Sequence, residues 1–137
     1  MKKVLAISCA AVLSVASFAL SAATLTVNFT GPGGHSLRAY GNTSALHAAA
    51  RAALEVQKAL PDAVLSDLNG GNSVNSIAAD ASFKVTINST GNELAEKTKL
   101  VKQAVQAGVD KENNFRGVKK GDTVKGGTPA EILWSVK

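Results

Sequence analysis

His35 and His47 are the only imidazoles in this 137-residue chain, and the first lies in GPGGHS, residues 31–36. An imidazole can donate or accept a hydrogen bond, move a proton near neutral pH, or bind a metal. Three glycines and a proline around it make a sharply bending loop, because Gly33 and Gly34 tolerate backbone conformations that a Cβ forbids. Such a loop either brings one side chain close to a ligand or is a turn whose histidine faces water. Ser36, beside the histidine, lacks the elbow context of a hydrolase nucleophile, and the loop lacks the G-K-[ST] ending that holds phosphate. No two acidic residues are adjacent, and His47 is followed by Ala48 and Ala49. Two histidines so placed cannot build a two-metal site.

The N-terminus must be set aside before the elements that position these residues can be read. Lys2 and Lys3 precede an uncharged, mostly apolar run from Val4 to Leu20, followed by Ser21, Ala22 and Ala23. That is the layout of a secretory signal peptide, with cleavage expected after Ala22 or Ala23. Cys9 sits inside the apolar run instead of at its end, which does not fit a lipid-anchored cysteine. Cleavage after Ala23 leaves 114 residues without cysteine, enough for one domain whose core holds without disulfides. The formal charge falls from +5 to +3 when the two lysines leave. Basic residues alternate with acidic ones and aromatics are few, so no nucleic-acid stripe is expected and no membrane contact after cleavage. The expected location is the periplasm or outside the cell. Three N-x-[ST] tripeptides, at Asn28, Asn42 and Asn88, are given no role.

Residues 24–30, TLTVNFT, alternate Leu25, Val27 and Phe29 with polar residues, the period of a half-buried strand. From Asn42 to Leu60 the period becomes helical. Leu46, Ala49, Ala50, Ala53, Val56 and Leu60 share a face, and Pro61 stops the helix. The opposite face carries His47, Arg51, Glu55 and Lys58, which reads as solvated. Residues 63–71 are a less regular strand. ASFKVTIN, residues 81–88, alternates again, with Phe83, Val85 and Ile87 inward. Thr90 and Glu93 form a T-x-x-E capping box for a second helix burying Leu94, Val101, Ala104 and Val105, with Gly108 as its stop. A last strand is expected within GVKKGDTVKGG, residues 117–127. The order β-α-β-β-α-β predicts an α+β, ferredoxin-like two-layer sandwich: a four-stranded antiparallel sheet with two helices on one face. An exposed edge strand of that sheet is a template for pairing with a second copy.

GPGGHS after a strand, then NTSALHAAARAA, then GGNSVNSIAADASFKVTINST resembles the lid or dimerisation domain of metallopeptidase family twenty, the di-zinc exopeptidases and amidohydrolases. The resemblance covers nearly all of the mature chain. After the signal peptide at 1–23, it implies a lid domain at 24–127 and a tail at 128–137 that is similar to the family's return linker. It implies that His35, framed by Gly33, Gly34 and Ser36, is an oxyanion donor acting in trans in a partner's active site. It implies that Asn75 holds a substrate carboxylate. Asn88 stands where the family often has a carboxylate-clamping arginine, and Ala78 where it usually has a proline; an asparagine lacks the charged fork of arginine. The two zinc ions of the family sit on a catalytic domain whose motifs are missing here, so no cofactor is expected in this chain. Three functions follow: an exported lid module that forms a homodimer or docks on a family catalytic domain, a fragment of a full zinc hydrolase, or a periplasmic module binding a small peptide or acyl-amino acid.

Overall fold

The computed structural model describes residues 21–137, so the expected signal peptide lies almost wholly outside the described residues. The period-two pattern of TLTVNFT forms β1, Ala22–Thr30, which buries Val27 and Phe29 and leaves Thr24 exposed. GPGGHS follows, with a two-residue strand β2, Gly34–His35. Helix α1, Ala45–Ala59, starts at Ser44, whose side chain accepts a hydrogen bond from the His47 N–H, and ends at Leu60 before Pro61. Strand β3, Val64–Gly70, leads to the two-residue β4, Ser76–Ile77, and to β5, Asp80–Asn88. Helix α2, Gly91–Phe115, is followed by a long turn segment and β6, Leu133–Val136.

The main sheet is antiparallel with order β3-β5-β1-β6, and β2 and β4 form a separate two-stranded ladder. Both helices cover one face, so the expected ferredoxin-like sandwich is what the chain builds. Alternation in β5 puts Phe83, Val85 and Ile87 in the core and Lys84 and Asn88 outside. The Phe29 and Phe83 rings stack across β1 and β5 with centroids 5.7 Å apart.

The helix faces differ in detail from the sequence expectation. Helix α1 buries Ala45, Ala48, Ala49, Ala52 and Val56, while Ala50 and Ala53 are only partly covered. Alanine is small enough to sit on either side of the boundary, so its periodicity marks the helix better than its buried direction. Thr90 occupies the N-cap of α2 without a side-chain cap bond, and Glu93 pairs with Lys97 at 2.7 Å instead of closing the capping box. Gly108 does not stop the helix; α2 continues for seven more residues to Phe115. A Cβ at Gly108 would overlap the backbone of Ala52 and lie 2.8 Å from the carbonyl carbon of Arg51. This glycine is therefore the crossing point of α1 and α2, where no side chain fits.

The final strand also lies elsewhere than expected. Residues 117–127 are turns and one isolated bridge, Thr123 to Pro129, and the sheet is completed by Leu133–Val136. The segment read as a linker from residue 128 buries Ala130 and Ile132, and the Thr43 hydroxyl donates to the Ala130 carbonyl at 2.6 Å. The tail thus belongs to the core.

Candidate functional site

Strand β1 delivers the chain to the glycine loop, and the Gly31 N–H donates to the Ala79 carbonyl at 2.8 Å. Gly33 and Gly34 then turn it at positive φ, 61° and 128°. Side chains there would be both strained and crowded, since a Cβ on Gly33 would sit 2.7 Å from that of Ala79. The turn presses β2 against β4, pairing Gly34 with Ile77 and His35 with Ser76. The Ser36 N–H extends the ladder by donating to the Asn75 carbonyl at 3.0 Å, and the Asn42 carboxamide clamps the Gly33 carbonyl at 3.0 Å. Two blocks forty residues apart are thereby joined: His35 and Asn75 line one cavity of about 330 Å3, together with Gly34 and Asp80. Ser36 stands on the other side of the loop pair.

The hydrogen bonds determine what these side chains can offer. His35 is exposed, and its Nδ1 accepts the Leu37 N–H at 3.2 Å, which leaves Nε2 to carry the proton of the neutral ring. The outward atom is then a donor, the role an oxyanion needs. The Asn75 carboxamide oxygen accepts from the Ser73 hydroxyl at 2.9 Å, so its NH2 faces outward as a second donor. Leu37, Tyr40 and Val74 on the same two loops are strongly exposed. The site combines these hydrogen-bond donors with the Asp80 carboxylate and the hydroxyls of Ser73 and Ser76.

Asn88 does not join this cluster. It lies at the far end of β5, opposite Ala22, roughly 26 Å from the Asp80 end at the rise of a strand. Its surroundings are a smaller cavity of about 200 Å3 shared with Pro61, Asp62 and Lys97. Within one chain His35 and Asn75 meet, and Asn88 is out of reach. Nor do the residues fit a zinc pair: among the described residues no three metal-ligating side chains gather, and the His47 Nδ1 lies 3.3 Å from the Arg116 guanidinium.

The face of α1 read as solvated is the larger surprise. Arg51 and Arg116 both pair with Glu112, a fully buried carboxylate, at 3.1 and 3.2 Å. Glu112 also accepts the Ser44 N–H at 3.1 Å, so one side chain caps α1 and ties it to α2. The two guanidiniums flank the Phe115 ring at 5.1 and 5.0 Å. Nothing in the spacing of Arg51 and Glu112, sixty-one residues apart, announces this cluster.

The model of a family described as peptidase dimerisation domain matches residues 19–113. No curated protein matches the sequence. Among solved structures, a hydantoinase/carbamoylase family amidase from Burkholderia multivorans is similar at a TM-score of 0.61 and 16% identity, over 85% of this chain and 26% of that one. An aminobenzoyl-glutamate utilization protein from Klebsiella pneumoniae is similar at 0.60 and 14%, over 85% and 27%. A tripeptidase from Staphylococcus aureus is similar at 0.57 and 14%, over 83% and 28%. At such identities the likeness speaks for the fold, and this chain spans little more than a quarter of each protein's length.

Proposed function

The chain belongs to the peptidase dimerisation domain family, and from that premise we propose that it is an exported lid and assembly module, non-catalytic by itself, that pairs with a second copy or docks on a family catalytic domain. The observation that carries this reading is the joined His35–Asn75 loop pair: two outward donors on loops that also expose Leu37, Tyr40 and Val74. Such a surface can stabilise a developing oxyanion supplied by another chain, but it cannot generate the nucleophile. In this reading zinc belongs to that other chain. Strand β3 is the natural contact between copies, because it is a sheet edge with Val64 and Leu68 exposed. The irregularity between Ser66 and Asn69, with Asp67 at a φ of 55°, confines regular pairing to the Val64 end. If one substrate is held by Asn75 and Asn88 together, their separation requires two copies of the chain.

A second reading, a periplasmic module that binds a small peptide or acyl-amino acid without turnover, draws support from the same outward donors. Light scattering on the mature chain over a concentration series separates them, alongside circular dichroism. A folded dimer that dissociates in a Val64→Lys variant supports the assembly module. A folded monomer at every concentration rules out self-association, and saturable binding by that monomer favours the second reading. An unfolded or aggregating chain favours a fragment of a longer zinc hydrolase. His35→Ala should leave the circular dichroism spectrum intact while lowering the activity of any complex reconstituted with a catalytic domain.

A further inference from the structure

On the other side of the loop that carries Asn75 lies a second cavity, of about 550 Å3. The two cavities share Gly71, Asn72, Ser73, Ser76 and Ile77 as a common wall. The larger one is lined by Leu46, Ile77 and Ala78 on its apolar side and by His47 and Arg116 on its polar side, and no aspartate or glutamate lines it. Behind it, two guanidiniums share the single carboxylate of Glu112, so the cluster keeps one unit of positive charge.

Arg116 spends its Nε on Glu112, and neither of its Nη atoms is paired with a carboxylate among the described residues. Its side chain is only 21% exposed, which strengthens charge-assisted hydrogen bonds relative to those in open water. The Nη2 atom stands 3.3 Å from the His47 Nδ1. As guanidinium is always a donor, Nδ1 must be the acceptor and the neutral ring carries its proton on Nε2, a further donor at the same wall. Phe115, between Arg51 and Arg116, limits how far either guanidinium can swing.

We infer that this cavity binds a small organic carboxylate, with the carboxylate on the Arg116 and His47 donors and an apolar body against Leu46, Ile77 and Ala78. One excess positive charge matches a monoanion, and the apolar lining matches a ligand with a hydrocarbon part. The inference does not depend on the lid reading, since it uses neither His35 nor the family's metal domain.

The test is a nuclear magnetic resonance titration of the 15N-labelled mature chain with 4-methylpentanoate, and with the neutral 4-methylpentanamide as comparator. Saturable shifts at His47 and along residues 70–77 are expected, with the acid binding at least tenfold more tightly than the amide. Arg116→Gln should remove that preference. Because Arg116 also supports Glu112, His47→Glu provides a second variant at an exposed position: its carboxylate should occupy the Arg116 donors and abolish acid binding with the fold intact. Equal binding of acid and amide overturns the inference, as does the absence of saturable shifts. Shifts confined to the His35 cavity and unaffected by His47→Glu overturn it too.

Discussion

Replacing Glu112 tests whether the two helices are held by a buried ionic clasp or merely by their alanine faces. Glu112→Ala removes the acceptor of the Ser44 N–H and the partner of two guanidiniums in one step. An orphaned buried N–H costs about 1–3 kcal/mol. Breaking a buried ion pair from one side costs about 3–5 kcal/mol in total, and Arg51, at 35% exposure, can recover some hydration. The expected loss is therefore about 3 kcal/mol, or a fall in melting temperature of roughly 12 °C for a domain of this size. Glu112→Gln keeps one acceptor for Ser44 but turns an NH2 toward a guanidinium, so about 2 kcal/mol is expected. Urea unfolding reads both variants, followed by circular dichroism and by Trp134, the sole tryptophan, whose Nε1–H donates to Gln106 on α2 at 2.8 Å. If both variants unfold within about 1 kcal/mol of the parent, the clasp contributes nothing and the packing of small residues carries the helix pair.

Gly108→Ala should destabilise the fold by about 1–3 kcal/mol or more, because overlap with the Ala52 backbone outweighs the roughly 1 kcal/mol gained in helix propensity; a raised urea midpoint would contradict that crossing. Ser44→Ala should cost about 1 kcal/mol in the same assay, through loss of the acceptor for the His47 N–H. The Glu55 carboxyl is held below its usual value chiefly by the hydrogen bond from Lys111, then by that from Lys58. Its contribution is thus present above the ordinary glutamate range and lost as the pH falls through the lowered folded value. Glu55→Gln should accordingly lower the urea midpoint at neutral pH and make no difference in strong acid, and a gap that persists unchanged in acid would refute the assignment.

The parts of this fold that could be read in advance are those where one residue type leaves only one choice of face. In β1 and β5, Val27, Phe29, Phe83, Val85 and Ile87 alternate with polar neighbours, and all five are buried. In α1 half of the candidates were alanine, whose weak preference let the buried face shift to include Ala48 and Ala52. Gly108 misled for a physical reason: a glycine within a helix looks like an ending unless the neighbouring helix that needs its missing Cβ is known. Arg51 misled in the same way, since charged residues at helical spacing are solvated far more often than they are interlocked, and its partner Glu112 lies on the other helix. The site shows the same division. His35 was visible from its loop, but its meeting with Asn75 depends on a two-residue ladder that no local pattern encodes, and the distance of Asn88 depends on the length of β5.

The last strand runs beside the first in the opposite sense, pairing Val136 with Val27 and Leu133 with Thr30. The Lys137 N–H donates to the Thr26 carbonyl at 2.9 Å, and the Thr26 N–H donates back at 2.8 Å. Both ends of the described chain therefore leave from the same end of the sheet. A pull applied between them does not shear the β1–β6 ladder as a block. It opens the ladder like a zipper, one hydrogen-bonded pair at a time, starting at Lys137 and Thr26. Because the strand that peels away is only four residues long, the first mechanical event releases β6 and uncovers the edge of β1 while β5 still holds β1 along its whole length. Under tension this domain is a fuse at its terminal edge, and β6 takes with it Trp134 and Val136, which pack against the core, and the Trp134–Gln106 hydrogen bond.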